Sequence, residues 1–152
     1  IASTGFTSTD VINKLSSLSP QVFDDVVVSV GVNDVTHLTR SNNWFNNIKT
    51  IIELLDTKFD APKVLLTSVP PMHKFTTIPA QLRWWLGLRA KKLNALMISA
   101  AKNKNHYSVL AFDFPFKAEY LAKDGFHPSD LAYNIWANQA AEQIEALNVP
   151  PL

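Results

Sequence analysis

The chain has 152 residues, 47% of them apolar, enough to bury a core and too apolar for a disordered segment. Its formal net charge is +1 and no Lys/Arg run forms a basic stripe, so nothing in the charge points to nucleic acid. There is no cysteine, which excludes structural disulfides and thiolate metal sites, and no apolar run approaches the roughly 18 to 20 residues of a membrane span.

Residues 1–4 read as the tail of a strand already under way, and neither an initiator Met nor a signal peptide is visible. Residues 8–18 (STDVINKLSSL) place Val11, Ile12, Leu15 and Leu18 at helical spacing, with Ser8 or Thr9 as the expected N-cap. Residues 25–30 (DVVVSV) are a valine run ending at Gly31, the pattern of a buried strand. A second helix is predicted over 42–58, with Trp44, Phe45, Ile48, Ile51, Ile52 and Leu55 on one face. Residues 63–69 (KVLLTSV) form another buried strand, stopped by Pro70 and Pro71. A long helix follows over 80–103, with Leu82, Trp85, Leu86, Leu93, Leu96 and Met97 expected to face inward and Gly87 to mark close packing. Residues 107–112 read as a third strand, and 130–147 as a last helix capped by Ser129 or Asp130.

Strands alternating with helices of crossover length predict an α/β fold with a parallel sheet covered on both faces, and no linker or repeat divides the chain. In such a fold the segments after strands and before helices meet at one rim, where ligands bind. Residues 4–7, 31–34, 70–79 and 124–128 qualify, and three of the four glycines, Gly5, Gly31 and Gly125, lie in them.

Acyl transfer by a serine needs a nucleophile, a base, a group that orients the base and donors for the oxyanion. His127 is the strongest candidate base. Asp124, three residues earlier, can return across one turn to hold Nδ1, and Pro128 stiffens the loop. Asn33, at a strand's end, can aim its amide into the rim, and Gly5 can offer a backbone N–H. Asp34 reads as a structural turn residue. His73 borders a pocket more readily than it acts as base, while His37 and His106 read as loop and surface residues. Met72, Phe75, Ile78, Trp84 and Trp85 either line an acyl pocket or pack the loop and long helix. Arg83 and Arg89 read as a solvated helix face. No carboxylate or histidine cluster suggests a metal site.

Three motifs carry a family resemblance. "STGFTSTDV" at 3–11, "GVND" at 31–34 and "DGFHP" at 124–128 resemble the second, third and fifth conserved blocks of the SGNH (GDSL-type) hydrolases, in order. "SVPPMHKF…IPAQLRWWLGLRAKKLNALM" resembles the connection and helix of a bacterial branch of that family. The resemblance implies a flavodoxin-like three-layer α/β/α sandwich and a cofactor-free serine esterase acting on small-molecule esters. It implies His127 as base, Asp124 as its partner, and Gly5 and Asn33 as oxyanion donors; Met72, His73 and Phe75, from their place in the rim segment 70–79, are expected beside the substrate. The family's first block, the Gly-Asp-Ser that supplies the nucleophile, has no match in the 152 residues. The expectation is therefore a single SGNH-like domain over 1–152, N-terminally truncated and lacking its first strand, with the serine on a separate N-terminal peptide. A binding domain that keeps the cleft without the nucleophile is the alternative.

Overall fold

The computed structural model describes residues 3–111 and 115–147. In chain order the elements are α1 (Ser8–Ser17), β1 (Val26–Ser29), α2 (Val32–Thr36), α3 (Ser41–Thr57), β2 (Val64–Thr67), α4 (Ala80–Ala101), β3 (Tyr107–Leu110) and α5 (Asp130–Ala146), with 3-10 turns at Met72–Lys74 and Ala118–Tyr120. All six elements predicted between residues 8 and 111 are present, each within one or two residues of its expected bounds where these are described. Phe112, the last residue of the expected third strand, and Ile1 and Ala2 of the expected strand tail lie outside the described residues.

The three strands are parallel in the order β1-β2-β3, Val26 pairing with Val64 and Val64 with Tyr107. β2 is central and buried on both faces, which is why it reads as an unbroken apolar run. Helices α1, α3 and α4 pack on one face, where Val64 and Leu66 meet Ile48, Ile51, Leu55 and Leu93. On the other face α5 covers β2 and β3, bringing Ala140, Trp136 and Ile144 onto Leu65 and Leu110. This is the three-layer α/β/α arrangement. Trp44 sits fully buried in the larger core with its indole N–H donating to the Leu93 carbonyl at 2.9 Å.

β1 lies at an edge of the described sheet. The Val26 N–H donates to the Lys63 carbonyl, so Val26 and Val28 serve β2. Main-chain groups alternate sides along a strand. Val27 and Ser29 therefore turn theirs to the side where no described strand lies. Because α5 stops short of β1, Val27 is also exposed.

Several local expectations are corrected. The N-cap of the first helix is Thr7, whose N–H and hydroxyl both donate to the Asp10 carboxylate. Ser8 instead is fully buried in the first turn. α2 was expected as loop; it is a single short helix turned out of β1 by Gly31. Gly31 has φ of +124°, and a Cβ there would come within 2.5 Å of the Val69 side chain. In α4, Leu86, Leu93 and Met97 are buried as expected, but Leu82 and Trp85 face solvent. Gly87 packs closely under His73. Arg89 is no solvated residue: its guanidinium donates to the carbonyls of Val35, Asp34 and Thr39, pinning the loop after α2 onto α4.

Candidate active site

The rim at the C-terminal ends of the strands holds a cavity of about 760 Å³. Its wall includes Gly5 from the turn before α1, Asn33 from α2, Phe75 from the turn before α4, and His127 from the loop before α5. All four rim segments contribute to it directly.

The loop at 121–129 is built by its own short-range bonds. The Ala122 N–H donates to the His127 carbonyl at 2.7 Å, and the Gly125 N–H to the Ala122 carbonyl at 2.8 Å. Asp124 divides its two oxygens. Oδ1 accepts the N–H groups of Phe126 and His127 at 2.9 and 3.0 Å, an Asx turn. Oδ2 meets Nδ1 of His127 at 2.5 Å. One carboxylate thus shapes the loop and fixes the imidazole, leaving Nε2 as the ring's other nitrogen. The hydrogen bond from His127, with those from the two backbone N–H groups, holds the Asp124 carboxyl down at about 2. His127 remains largely exposed.

The loop is braced from the side. Thr77 Oγ1 donates to the Gly125 carbonyl at 3.0 Å. Gly125 has φ of +67°, and a Cβ there would lie 2.3 Å from the Thr77 methyl, so any side chain would be strained and would push Thr77 aside. The Phe126 ring packs on Phe75 with centroids 5.1 Å apart.

Asn33 is oriented by a bond that consumes half its donor capacity: Nδ2 donates to the Phe6 carbonyl at 3.0 Å. An amide carries two N–H groups, so one remains for the cavity. The adjacent Asp34 plays a different part. It is fully buried and accepts the Ser8 N–H at 2.8 Å and the Ser8 hydroxyl at 2.7 Å. Asn47 donates to the same hydroxyl at 2.9 Å. Asp34 is structural, as expected, and Ser8 is committed and inaccessible. Ser3, Ser29 and Ser68 line the cavity.

The expected substrate-side residues separate. Phe75 lines the cavity. His73 faces away from it, into a neighbouring groove of about 560 Å³ that shares only Ser68 and Val69 with the first. Met72 is fully buried in the core and lines neither, because the 3-10 turn is tucked against α4; it is a packing residue. His106 joins Lys104 and Tyr107 around Asp56 at the opposite end of the sheet. Burial pushes the Asp56 carboxyl up, but those three hydrogen bonds outweigh it and hold it below its ordinary value. Sequence reasoning missed two residues of the rim wall, Trp136 and Tyr133 from α5. The Trp136 indole nitrogen is buried there with no acceptor among the described residues. No group of three His, Cys, Asp or Glu side chains that could hold a metal occurs among the described residues.

Comparison with known proteins accords with this arrangement. The family model for the GDSL-like Lipase/Acylhydrolase family matches residues 2–135, which include Gly5, Asn33, Asp124 and His127. A GDSL-like lipase from Bacteroides thetaiotaomicron is similar at 26% identity and a TM-score of 0.68, over 93% of this chain and 72% of that one. A putative platelet activating factor protein from Streptococcus pneumonia superposes with a TM-score of 0.72 at 17% identity, over 92% of this chain and 69% of that one. An acetylxylan esterase from Geobacillus stearothermophilus superposes with a TM-score of 0.64 at 16% identity, over 92% and 68%. The last two likenesses speak for the fold alone. A search of curated proteins finds no match.

Proposed function

Because the chain belongs to the GDSL-like lipase/acylhydrolase family, whose members are acyl hydrolases, we propose that it forms the base and oxyanion half of a serine esterase centre for small carboxylic esters. The observation that carries this reading is the Asp124–His127 pair, 2.5 Å apart, on the wall of a cavity that Asn33 and Gly5 also line. Nε2 of His127 takes the serine proton as the serine oxygen attacks the ester carbonyl carbon. The carbonyl electron pair moves onto oxygen, where the Gly5 N–H and the Asn33 amide stabilise it, each donor being worth roughly 3 to 4 kcal/mol of barrier. Collapse expels the alcohol, which takes the proton from His127, and leaves an acyl-enzyme. Water, deprotonated by the same nitrogen, then releases the acid and restores the serine.

The nucleophile in this reading comes from a segment outside the 152 residues that pairs with the free edge of β1. Two features support that position: the main-chain groups of Val27 and Ser29 face it, and the buried Trp136 indole N–H beside the cavity lacks an acceptor among the described residues. Phe75 contributes to substrate binding; His73 and Met72 do not border the same cavity.

The test is a panel of p-nitrophenyl esters, run on the full-length protein and on residues 1–152 alone, with fluorophosphonate labelling and peptide mapping. We expect turnover by the full-length protein and a label on a serine outside the 152 residues. A label on Ser3 or Ser29 would bring the nucleophile into this chain. Neither turnover nor label would favour the alternative, a binding domain that keeps the cleft. That alternative has one observation on its side: no serine here follows Gly-Asp.

A further inference from the structure

Residues 61–112 contain 8 of the chain's 14 Lys and Arg residues and none of its 13 Asp and Glu residues. The chain is nearly neutral, yet this 52-residue stretch is wholly cationic. The fold concentrates part of it beside the cleft. The first half of α4 holds Leu82, Trp84, Trp85 and Leu88 exposed, Trp84 to 64%. Four large apolar side chains facing solvent within seven residues contrast with single exposed residues elsewhere, which are ordinary. Exposed Lys91 and Lys92 continue the face one turn beyond Leu88, with Arg83 and Lys74 at its side. Among the described residues none of these four cations is in an ion pair. Lys74 lies over the Phe116 ring, and Trp84, Leu88, Lys74 and Lys91 line the groove of about 560 Å³.

We propose that this face docks the protein on an anionic lipid surface. Tryptophan and leucine beside unpaired cations match the chemistry of a bilayer's interfacial zone, where amphipathic rings sit at headgroup depth and lysine or arginine meets phosphate or carboxylate. A soluble partner protein would not require the complete exclusion of acid from the stretch. The groove shares Ser68 and Val69 with the His127 cavity, and the loop that opens α4 is bonded to Gly125 through Thr77. Docking would therefore set the cleft mouth beside the membrane. The inference rests on the acyl-hydrolase reading only for its use: it names lipid-borne esters as the substrates presented.

Cosedimentation with vesicles tests it without turnover. The full-length protein should bind phosphatidylcholine vesicles containing 30% phosphatidylserine at least tenfold better than pure phosphatidylcholine vesicles, and raising salt to 0.5 M should remove most of the difference. Removing one basic contact lowers anionic-surface binding about fivefold, so Lys91→Glu with Lys92→Glu should lower it more than tenfold. Trp84→Ser with Leu88→Ser should lower it about tenfold, with an unchanged far-UV circular dichroism spectrum. His127→Ala should bind as the parent does, and a full-length parent that binds vesicles yet hydrolyses no ester refutes only the catalytic reading. Equal binding to neutral and anionic vesicles, or either surface variant binding as the parent, overturns the proposal. So does a dimer that dissociates on Trp84→Ser with Leu88→Ser and shows no vesicle binding, which would make a second copy the occupant.

Discussion

Asp124 does two jobs with two oxygens, and this makes the residue scale testable. Its carboxyl, held at about 2 by the His127 bond and two backbone N–H groups, lies below the ordinary 3.8. A depressed folded value means that its support of the loop is complete above about pH 4 and is lost as pH falls through 2. A carbon-13 titration of the Asp124 carboxyl should have its midpoint near 2, and Asp124→Asn should abolish the loop's pH dependence in that window. Any acid limb of activity above pH 4 then belongs to another group and should survive the substitution. On the catalytic reading, His127→Ala lowers kcat by about 10³-fold or more, and Asp124→Ala by less, since the imidazole keeps its basicity without its orienter. Asn33→Ala should lower kcat by about 10² to 10³ with KM little changed. A rise in KM at constant kcat would mean that Asn33 binds substrate in the ground state. This pair was legible in the sequence because it is local: three residues and one turn separate acid from imidazole. The Ser8–Asp34 contact was not, since it joins residues 26 apart through the tertiary fold.

Between elements, that contact is the link that holds α1 to α2 and so places Gly5 near Asn33. Asp34 is buried and accepts two hydrogen bonds from Ser8. Removing a buried acceptor that serves two donors costs about 2 to 4 kcal/mol. Asp34→Ala should lower the unfolding free energy by that amount, read as a lower urea midpoint at constant slope, while an unchanged midpoint would show that the pair contributes nothing to stability. The elements themselves could be read from sequence to differing depth. The leucine run of β2 is a strand buried on both faces, as read, whereas the valine run of β1 is a strand but an edge one with Val27 exposed, because an apolar run does not tell which face stays covered. α4 was identified but its inward face was not, because apolar residues lie all round it: Leu86 and Leu93 point in, Leu82 and Trp85 out. Periodicity cannot choose a face where both faces are apolar. Met72 was read as a pocket residue from its place in the rim segment 70–79, yet the turn it occupies is tucked under the long helix.

At the scale of the molecule, the alternation of strands and helices predicted the parallel sheet and the rim, and both are present. The edge at β1 has its own consequence. Val27 is exposed on a strand whose outer main-chain groups meet no described partner. Such an edge invites pairing with another copy. Static light scattering of residues 1–152 should rise with concentration, and Val27→Lys should suppress the rise with little change in stability. A chain that stays monomeric without the substitution would show that the edge is covered.

Asn94 of α4 offers its side-chain amide to Val69 as a peptide would: its Oδ1 accepts the Val69 N–H at 2.8 Å and its Nδ2 donates to the Val69 carbonyl at 2.9 Å. The end of β2 is thus riveted to the middle of α4, and neither can slide without stripping both groups of their partners at once. The same helix carries Trp84 and Leu88 on its outer turns, and Val69 and Ser68 line both the cleft and the neighbouring groove. Any shift of α4 is therefore shared by the floor of the cleft, because the two are held as one body.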